Sequence, residues 1–214
     1  MKILGISTSS KYPSAAVMLL EEGELYEVSF RMEERSGISH SESLMRLIEG
    51  ALAEAETPKE DINCIAVDIG PGSFTGVRIG VSCANARAAA LGIPVIPVCS
   101  LNALCAEHGE GPCAAMIDCR NGNCYAAAFE GEDTLIEPSA AETRPILDSL
   151  PAGCAIYGDV FSNCSHARAN DSDDHPNARK VIAAAVKWGI PPADQALPMY
   201  LRPSQAERMK QVNK

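Results

Sequence analysis

KILGISTSSKYPSAAVMLLEEGELYEVSFRM, residues 2–32, decides the fold. Residues 2–7 (KILGIS) read as a strand, TSSKYP as a polar loop and 14–20 (SAAVMLL) as a second strand. Gly23 marks a turn, and 24–32 read as a third strand with charged residues toward its end. Three strands with short returns therefore precede any helix. Outward from this stretch, a helix is expected from about 41 to 56, capped by Ser39 or Ser41. Its residues Leu44, Leu47, Ile48, Ala51, Leu52 and Ala55 share one face. Residues 62–69 are nearly continuously apolar, as in a strand covered on both sides. A helix from about Thr75 to Leu91, a short strand at 93–98 and a helix near 101–108 complete the first half.

A second strand–loop–strand unit begins at Cys113. ILGIST followed by SAAVML compares with AAMIDC followed by CYAAAF, which puts Ser7 and Asp118 at equivalent places. From Gly131 to Pro198 the pattern weakens to a polar loop at 170–177 (NDSDDHPN) and a helix around 178–188. A short Met199–Arg202 element follows. The β-β-β-α-β-α order excludes a Rossmann domain, which alternates strand and helix from its start. It is the order of an α/β ribonuclease-H-like or actin-like ATPase lobe. The expected architecture is two such lobes, with mixed β-sheets flanked by helices. The first covers 1–108 and carries the partner-binding face; the smaller second lobe covers 109–214.

The net charge of −10 is uneven: residues 199–214 are net +3 and the remainder −13. So acidic a body is unsuited to binding a phosphate backbone unaided, and a nucleic-acid role would need a basic partner. The nine cysteines contain no C-x-x-C, and several sit in apolar runs. They read as reduced core residues in a cytosol, neither disulfides nor a zinc site. The start has too short an apolar run for a signal peptide, and no stretch of about 20 apolar residues spans a membrane.

GPGSFTGVRIG, residues 70–80, joins the strand at 62–69 to the helix that follows. Glycines around Pro71 make a tight turn, and Ser73 or Thr75 can cap the helix, whose free N–H groups then point into the turn. That chemistry suits a phosphate. It equally suits a plain strand–helix turn. No Gly-Lys-Ser/Thr follows, so it is not a P-loop. Thr75 stands where the third glycine of G-x-G-x-x-G would be, and GIPVIPV (92–98) offers no ribose-binding acid. The helix beyond is small-sided nearly all round, which suits close approach by a partner helix or burial in the core.

Elsewhere the chemistry is sparse. His40, His108, His166 and His175 form no H-x-x-x-H, and DSDDH (171–175) reads as a solvated loop. No serine has a G-x-S-x-G frame, and no cysteine or serine has a base nearby in sequence. Asp118, beside Arg120, is the best single polar candidate, for a metal–phosphate or for pairing with Arg120.

ISTSS (6–10), SHSESLMRLIEGAL (39–52), GPGSFTGVRIG (70–80), LGIPVIPVCSL (91–101), MIDCRNGNCYAAAF (116–129) and MYLRP (199–203) together resemble the bacterial TsaB (YeaZ) family. The likeness is strong over roughly 1–130 and at the tail, and weak between. It implies a cytoplasmic, non-catalytic subunit that works with the related catalytic subunit TsaD and the small ATPase TsaE. Together these place a threonylcarbamoyl group on the adenosine beside the anticodon of tRNAs reading ANN codons. ATP or ADP and a divalent metal are then expected on the partner subunits, with tRNA contacted indirectly. TsaD-like chains carry a histidine pair after the strand matching Pro94–Val98; Ser100–Leu104 here has none. Many relatives read I-D-T where this chain has Ser7, and an acid where it has Asn123. The phosphate frame implied is Ser7, Thr8, Gly70, Gly72, Ser73, Thr75, Gly76 and Asp118, of weak or lost occupancy. The partner face maps to Leu44, Met45, Ile48 and Leu52 on the first helix. On the second it maps to Val77, Gly80, Val81, Ala84, Arg87 and Ala88. Gly80→Arg or Ala84→Glu is expected to abolish TsaD binding without unfolding. Self-association when alone, an autonomous actin-fold ATPase or phosphotransferase, and a glycoprotease-like peptidase are the alternatives.

Overall fold

The computed structural model describes residues 1–33, 40–160 and 175–202. The Ser39 cap, most of the 170–177 loop and the basic tail beyond 202 lie outside them. The three opening strands are β1 (Lys2–Ser7), β2 (Ser14–Glu21) and β3 (Glu24–Met32). Then come α1 (His40–Glu54), β4 (Cys64–Asp68), α2 (Phe74–Leu91), β5 (Val95–Val98) and α3 (Ser100–Cys105). These strands form one sheet in the order β3-β2-β1-β4-β5. β1 is antiparallel to β2 and parallel to β4, and β5 runs parallel to β4.

Strand alternation sorts the side chains of this sheet onto two covered faces. Leu4, Ile6, Val17, Ile65 and Val67 pack with Leu44, Ile48, Val77, Val81, Ala84 and Ala88 under α1 and α2. Ile3, Ala16, Cys64, Ala66 and Val98 face the other way, against Ala103 of α3 and Val181, Ile182 and Ala185 of a later helix, α5 (Ala178–Lys187). Gly5 is needed for that second contact, since a Cβ there would stand 2.5 Å from the Ala178 carbonyl.

The second sheet contains β6 (Pro112–Asp118), β7 (Asn123–Glu130), β8 (Asp133–Glu142) and β9 (Ala155–Tyr157), with α4 (Thr143–Ser149) between the last two. Its order is β8-β7-β6-β9, with β6 antiparallel to β7 and parallel to β9. Each sheet thus centres on a strand with one antiparallel and one parallel neighbour, and Ser7 and Asp118 end those two strands. α3 contributes to both cores, through Ala103 on the first side and Leu101, Leu104 and Cys105 against Cys113 and Phe129 on the second. α5 follows the second sheet in sequence but packs on the first, whereas a division at 108/109 groups it with the second.

After α5 the chain crosses back as an extended strap. Ala193 exchanges both backbone hydrogen bonds with Val95, and Ala196 does so with the Asn85 side chain. The Met199 N–H then bonds Ile69 O at 2.7 Å. Residues 199–202 are held this way without becoming a helix or strand.

Candidate functional site

β4 ends at Asp68, two residues before the Gly70 turn. Its carboxylate is fully buried and accepts four hydrogen bonds. Ser7 Oγ (2.8 Å) and Ser9 Oγ (2.5 Å) donate to Oδ2. Ser100 Oγ (2.5 Å) and the Gly70 N–H (2.9 Å) donate to Oδ1. β1, the loop after it, the start of α3 and the turn are thereby tied to one acceptor. Burial pushes the Asp68 carboxyl above its ordinary value, and the four donors oppose that shift.

The loop after β1 lies directly on the turn. The Ser73 N–H donates to Ser9 O at 2.7 Å, and Thr8 Oγ1 donates to Gly76 O at 2.7 Å. Ser73 is the N-cap of α2, its hydroxyl accepting from the Gly76 N–H at 3.2 Å. A Cβ on Gly72 would stand 2.5 Å from Ser9 O. Of the phosphate frame expected from sequence, Ser7, Thr8, Gly70, Gly72, Ser73 and Gly76 are brought together, and Thr75 is exposed on the first turn of α2. The N–H groups of Gly70, Ser73 and Gly76 are engaged within the protein, next to a buried carboxyl. That arrangement disfavours an incoming phosphate.

Asp118 stands on the second sheet. Its Oδ1 accepts from the Arg120 backbone N–H (2.9 Å), so the bond to Arg120 runs through the main chain. The Asp118 N–H donates to Asp159 Oδ1 at 2.8 Å. Burial raises the Asp159 carboxyl above its ordinary value, opposed by that N–H and by nearby His175. His175 packs on the Tyr12 ring at 4.9 Å, and the next residue, Pro176, has its carbonyl 3.3 Å from Ser7 Oγ. Asp118 is thus bonded to Asp159, and Ser7 to Pro176, the residue that follows His175. Among the described residues, no group of three His, Cys, Asp or Glu is placed to hold a metal.

The partner face needs correction. Leu44, Ile48, Val77, Val81, Ala84 and Ala88 are core residues beneath α1 and α2, and Gly80 is buried with them. Leu52 and Arg87 are half-buried; Met45 alone of the predicted set is exposed, touching Cys83 and Arg87 through its sulfur. A Cβ on Gly80 would stand 2.3 Å from Thr8 Oγ1. Gly80→Arg and Ala84→Glu would therefore strike the core, and cannot report on a partner with the fold intact. The outward side of α2 is Thr75, Arg78, Ser82, Ala86, Ala89 and Ala90. At its N-terminal end Arg78 stacks on Phe74, 3.8 Å from the ring centroid, and donates to Tyr200 OH at 2.7 Å.

Asp68, Ser9, Ser100, Asp159 and His175 were not among the residues expected at this site. The available signal was Asp68 itself, an acid closing an otherwise apolar strand two residues before a Gly-Pro-Gly turn.

Two mixed sheets, each flanked by helices and opened by an antiparallel strand pair, define an actin-like, ribonuclease-H-like α/β protein. A family model described as TsaD, tRNA N6-adenosine threonylcarbamoyltransferase, matches residues 34–152. The tRNA threonylcarbamoyladenosine biosynthesis protein TsaB of Bacillus subtilis (strain 168) is 33% identical over 69% of this chain and 63% of its own length. An uncharacterized protein of Mycobacterium tuberculosis (strain ATCC 25618 / H37Rv) is 30% identical over 94% of this chain and 91% of its own. The structure of YeaZ from Pseudomonas aeruginosa superposes with a TM-score of 0.73 at 27% identity, covering 94% of this chain and 99% of that one. The chain belongs to the TsaD family, on its TsaB (YeaZ) side.

Proposed function

We propose that this chain is the non-catalytic partner subunit of a tRNA-modifying assembly that forms threonylcarbamoyladenosine. Support comes from the TsaB relative of Bacillus subtilis, which is named for that biosynthesis. The observation that carries the non-catalytic part is the Asp68 cluster: the acid beside the turn is sealed by Ser7, Ser9, Ser100 and Gly70 instead of facing a substrate. A phosphoryl-transfer site needs carboxylates and free donors presented to nucleotide and metal.

In this reading the chain docks on a TsaD-like catalytic subunit and supports its active form. A TsaE-like ATPase completes the assembly in the cytoplasm. ATP or ADP and the divalent metal reside on those partners, and tRNA is reached through them, consistent with the net charge of −10 here. The adenosine modified is the one beside the anticodon of tRNAs reading ANN codons. The docking face is the exposed side of α1 and α2, with Met45 and Ala86 as its reporters, replacing the buried positions first expected.

Co-purification with a TsaD-like subunit tests this. Wild-type protein is expected to co-elute, and Met45→Glu with Ala86→Arg is expected to lose the complex at unchanged urea midpoint. Undiminished co-elution of that variant would rule out this face. ATP turnover by the purified chain alone, lost on Asp118→Ala, would favour an autonomous ATPase instead.

A further inference from the structure

The strap that follows α5 runs alongside α2, with Ala196 fixed to the Asn85 side chain and Tyr200 to Arg78. Between these two points Leu197 is 69% exposed. Arg78 is exposed as well, yet it is held in place. Its guanidinium carbon lies 3.8 Å from the Phe74 ring centroid and 5.7 Å from that of Tyr200. Its Nε–H donates to Tyr200 OH at 2.7 Å. The two rings touch in turn, their centroids 4.8 Å apart. Phe74 and Tyr200 are 37% and 45% exposed, so the cluster stands on the surface. Both terminal nitrogens of Arg78 are left without a partner among the described residues.

Several other arginines are neutralised within the chain. Arg31 pairs with Glu54, Arg46 with Glu33, Arg144 with Asp148 and Arg179 with Glu27. Arg78 has no carboxylate partner among the described residues, although the net charge is −10. A guanidinium stacked on a ring and tethered through Nε has already lost much of its side-chain freedom. Less is then lost when a planar carboxylate takes the open edge of the fork through two parallel hydrogen bonds.

We propose that Phe74, Arg78 and Tyr200 anchor the docking face, Arg78 receiving an aspartate or glutamate side chain of the TsaD-like subunit. The inference rests on the docking reading above and adds the C-terminal strap to that face. A protein carboxylate fits this cluster better than a run of nucleic-acid phosphates. The outward neighbours of Arg78 on α2 are Thr75, Ser82, Ala86, Ala89 and Ala90, which supply no second cation, and the acidic chain repels a polyanion. Arginine and exposed aromatic rings are also the residue types that concentrate binding energy at protein interfaces.

The test is the affinity of the full chain for a TsaD-like subunit, measured from about 0.05 to 0.5 M sodium chloride. Arg78→Ala should weaken binding by at least about tenfold at low salt, and raised salt should narrow the gap from wild type. Arg78→Lys, which keeps the charge without the fork, should restore little of it. Tyr200→Phe, which removes only the hydroxyl holding Nε, should weaken binding by a smaller factor. Arg78→Glu should lose the complex and regain it when one partner acid is changed to lysine. Should Arg78→Ala lower the urea midpoint, Tyr200→Phe and the charge exchange decide. The proposal alone is overturned if the Arg78 variants bind as wild type does while Met45→Glu with Ala86→Arg does not. A wild-type chain that fails to bind overturns the docking reading and the proposal together. Loss of tRNA binding, or of self-association, by Arg78→Ala at unchanged partner affinity assigns the arginine to a phosphate or to a second copy, and overturns it too.

Discussion

Gly80→Ala is a substitution for which helix propensity and packing predict opposite signs. In an exposed helix it would stabilise by about 1 kcal/mol, because alanine loses less backbone entropy than glycine. Here the added Cβ would lie 2.3 Å from Thr8 Oγ1, roughly an ångström inside ordinary contact. Thr8 cannot retreat freely, being 1% exposed and donating to Gly76 O at 2.7 Å. Overpacking of this kind costs about 1–3 kcal/mol. Losing the Thr8 hydrogen bond costs a further ~1 kcal/mol. Less the propensity gain, the net is about 1–3 kcal/mol of destabilisation. With a urea slope of about 3 kcal/mol/M, the midpoint should fall by roughly 0.3–1 M. Thr8→Ala removes the obstruction, so the double variant should be more stable than the sum of the singles predicts, by about 1–2 kcal/mol. A rise in midpoint for Gly80→Ala, or strict additivity with Thr8→Ala, would refute the argument. On this account the small residue at 80 serves the loop after β1, not a docking helix.

Asp68→Ala should lower stability by about 3 kcal/mol in urea titration, since four donors lose their acceptor. Asp68→Asn, which keeps the shape and lets the serines turn to accept, should cost only about 1 kcal/mol; equal losses would show that the hydrogen bonds do not set the effect. The carboxyls of Asp68 and Asp159 are both raised above 3.8 by burial, so the folded state keeps protons that the unfolded chain releases. Their stabilising contribution is present below that pH and is lost as pH rises through the raised values. The fall in urea midpoint from about pH 4 upward should therefore be shallower in Asp68→Asn; an unchanged profile contradicts this. Millimolar ATP, ADP or phosphate should leave the melting temperature of the isolated chain unmoved, and a saturable rise would show that the turn takes an anion after all.

The fold was legible because three apolar runs before the first helix admit few arrangements, and because α2 is bounded by its own signals. Ser73 caps it, and Gly92, left-handed at φ 67°, ends it. β8 was not legible. DTLIEPSAAE carries acids and Pro138, is exposed or half-buried throughout and pairs only with β7, so it lacks the alternation that marks a half-buried strand. α4 has no buried residue, and β9 is three residues long. The site was half legible. The turn and the loop after β1 stood out by composition, whereas the Asp68 cluster joins residues 32 to 61 positions apart, which local pattern cannot pair. Most positions expected to form the docking face are buried for a related reason. Periodicity finds the apolar stripe of a helix, and in α1 and α2 that stripe faces their own sheet.

The central claim is that this chain supports a modifying enzyme without performing the chemistry. The most direct measurement is threonylcarbamoyl transfer to an ANN-reading tRNA, reconstituted from a TsaD-like subunit, a TsaE-like ATPase and ATP, with and without this chain. The account predicts turnover only when the chain is present, retained with Asp118→Ala and lost with Met45→Glu plus Ala86→Arg. Full turnover in its absence, or loss of turnover on Asp118→Ala with the complex intact, would contradict it.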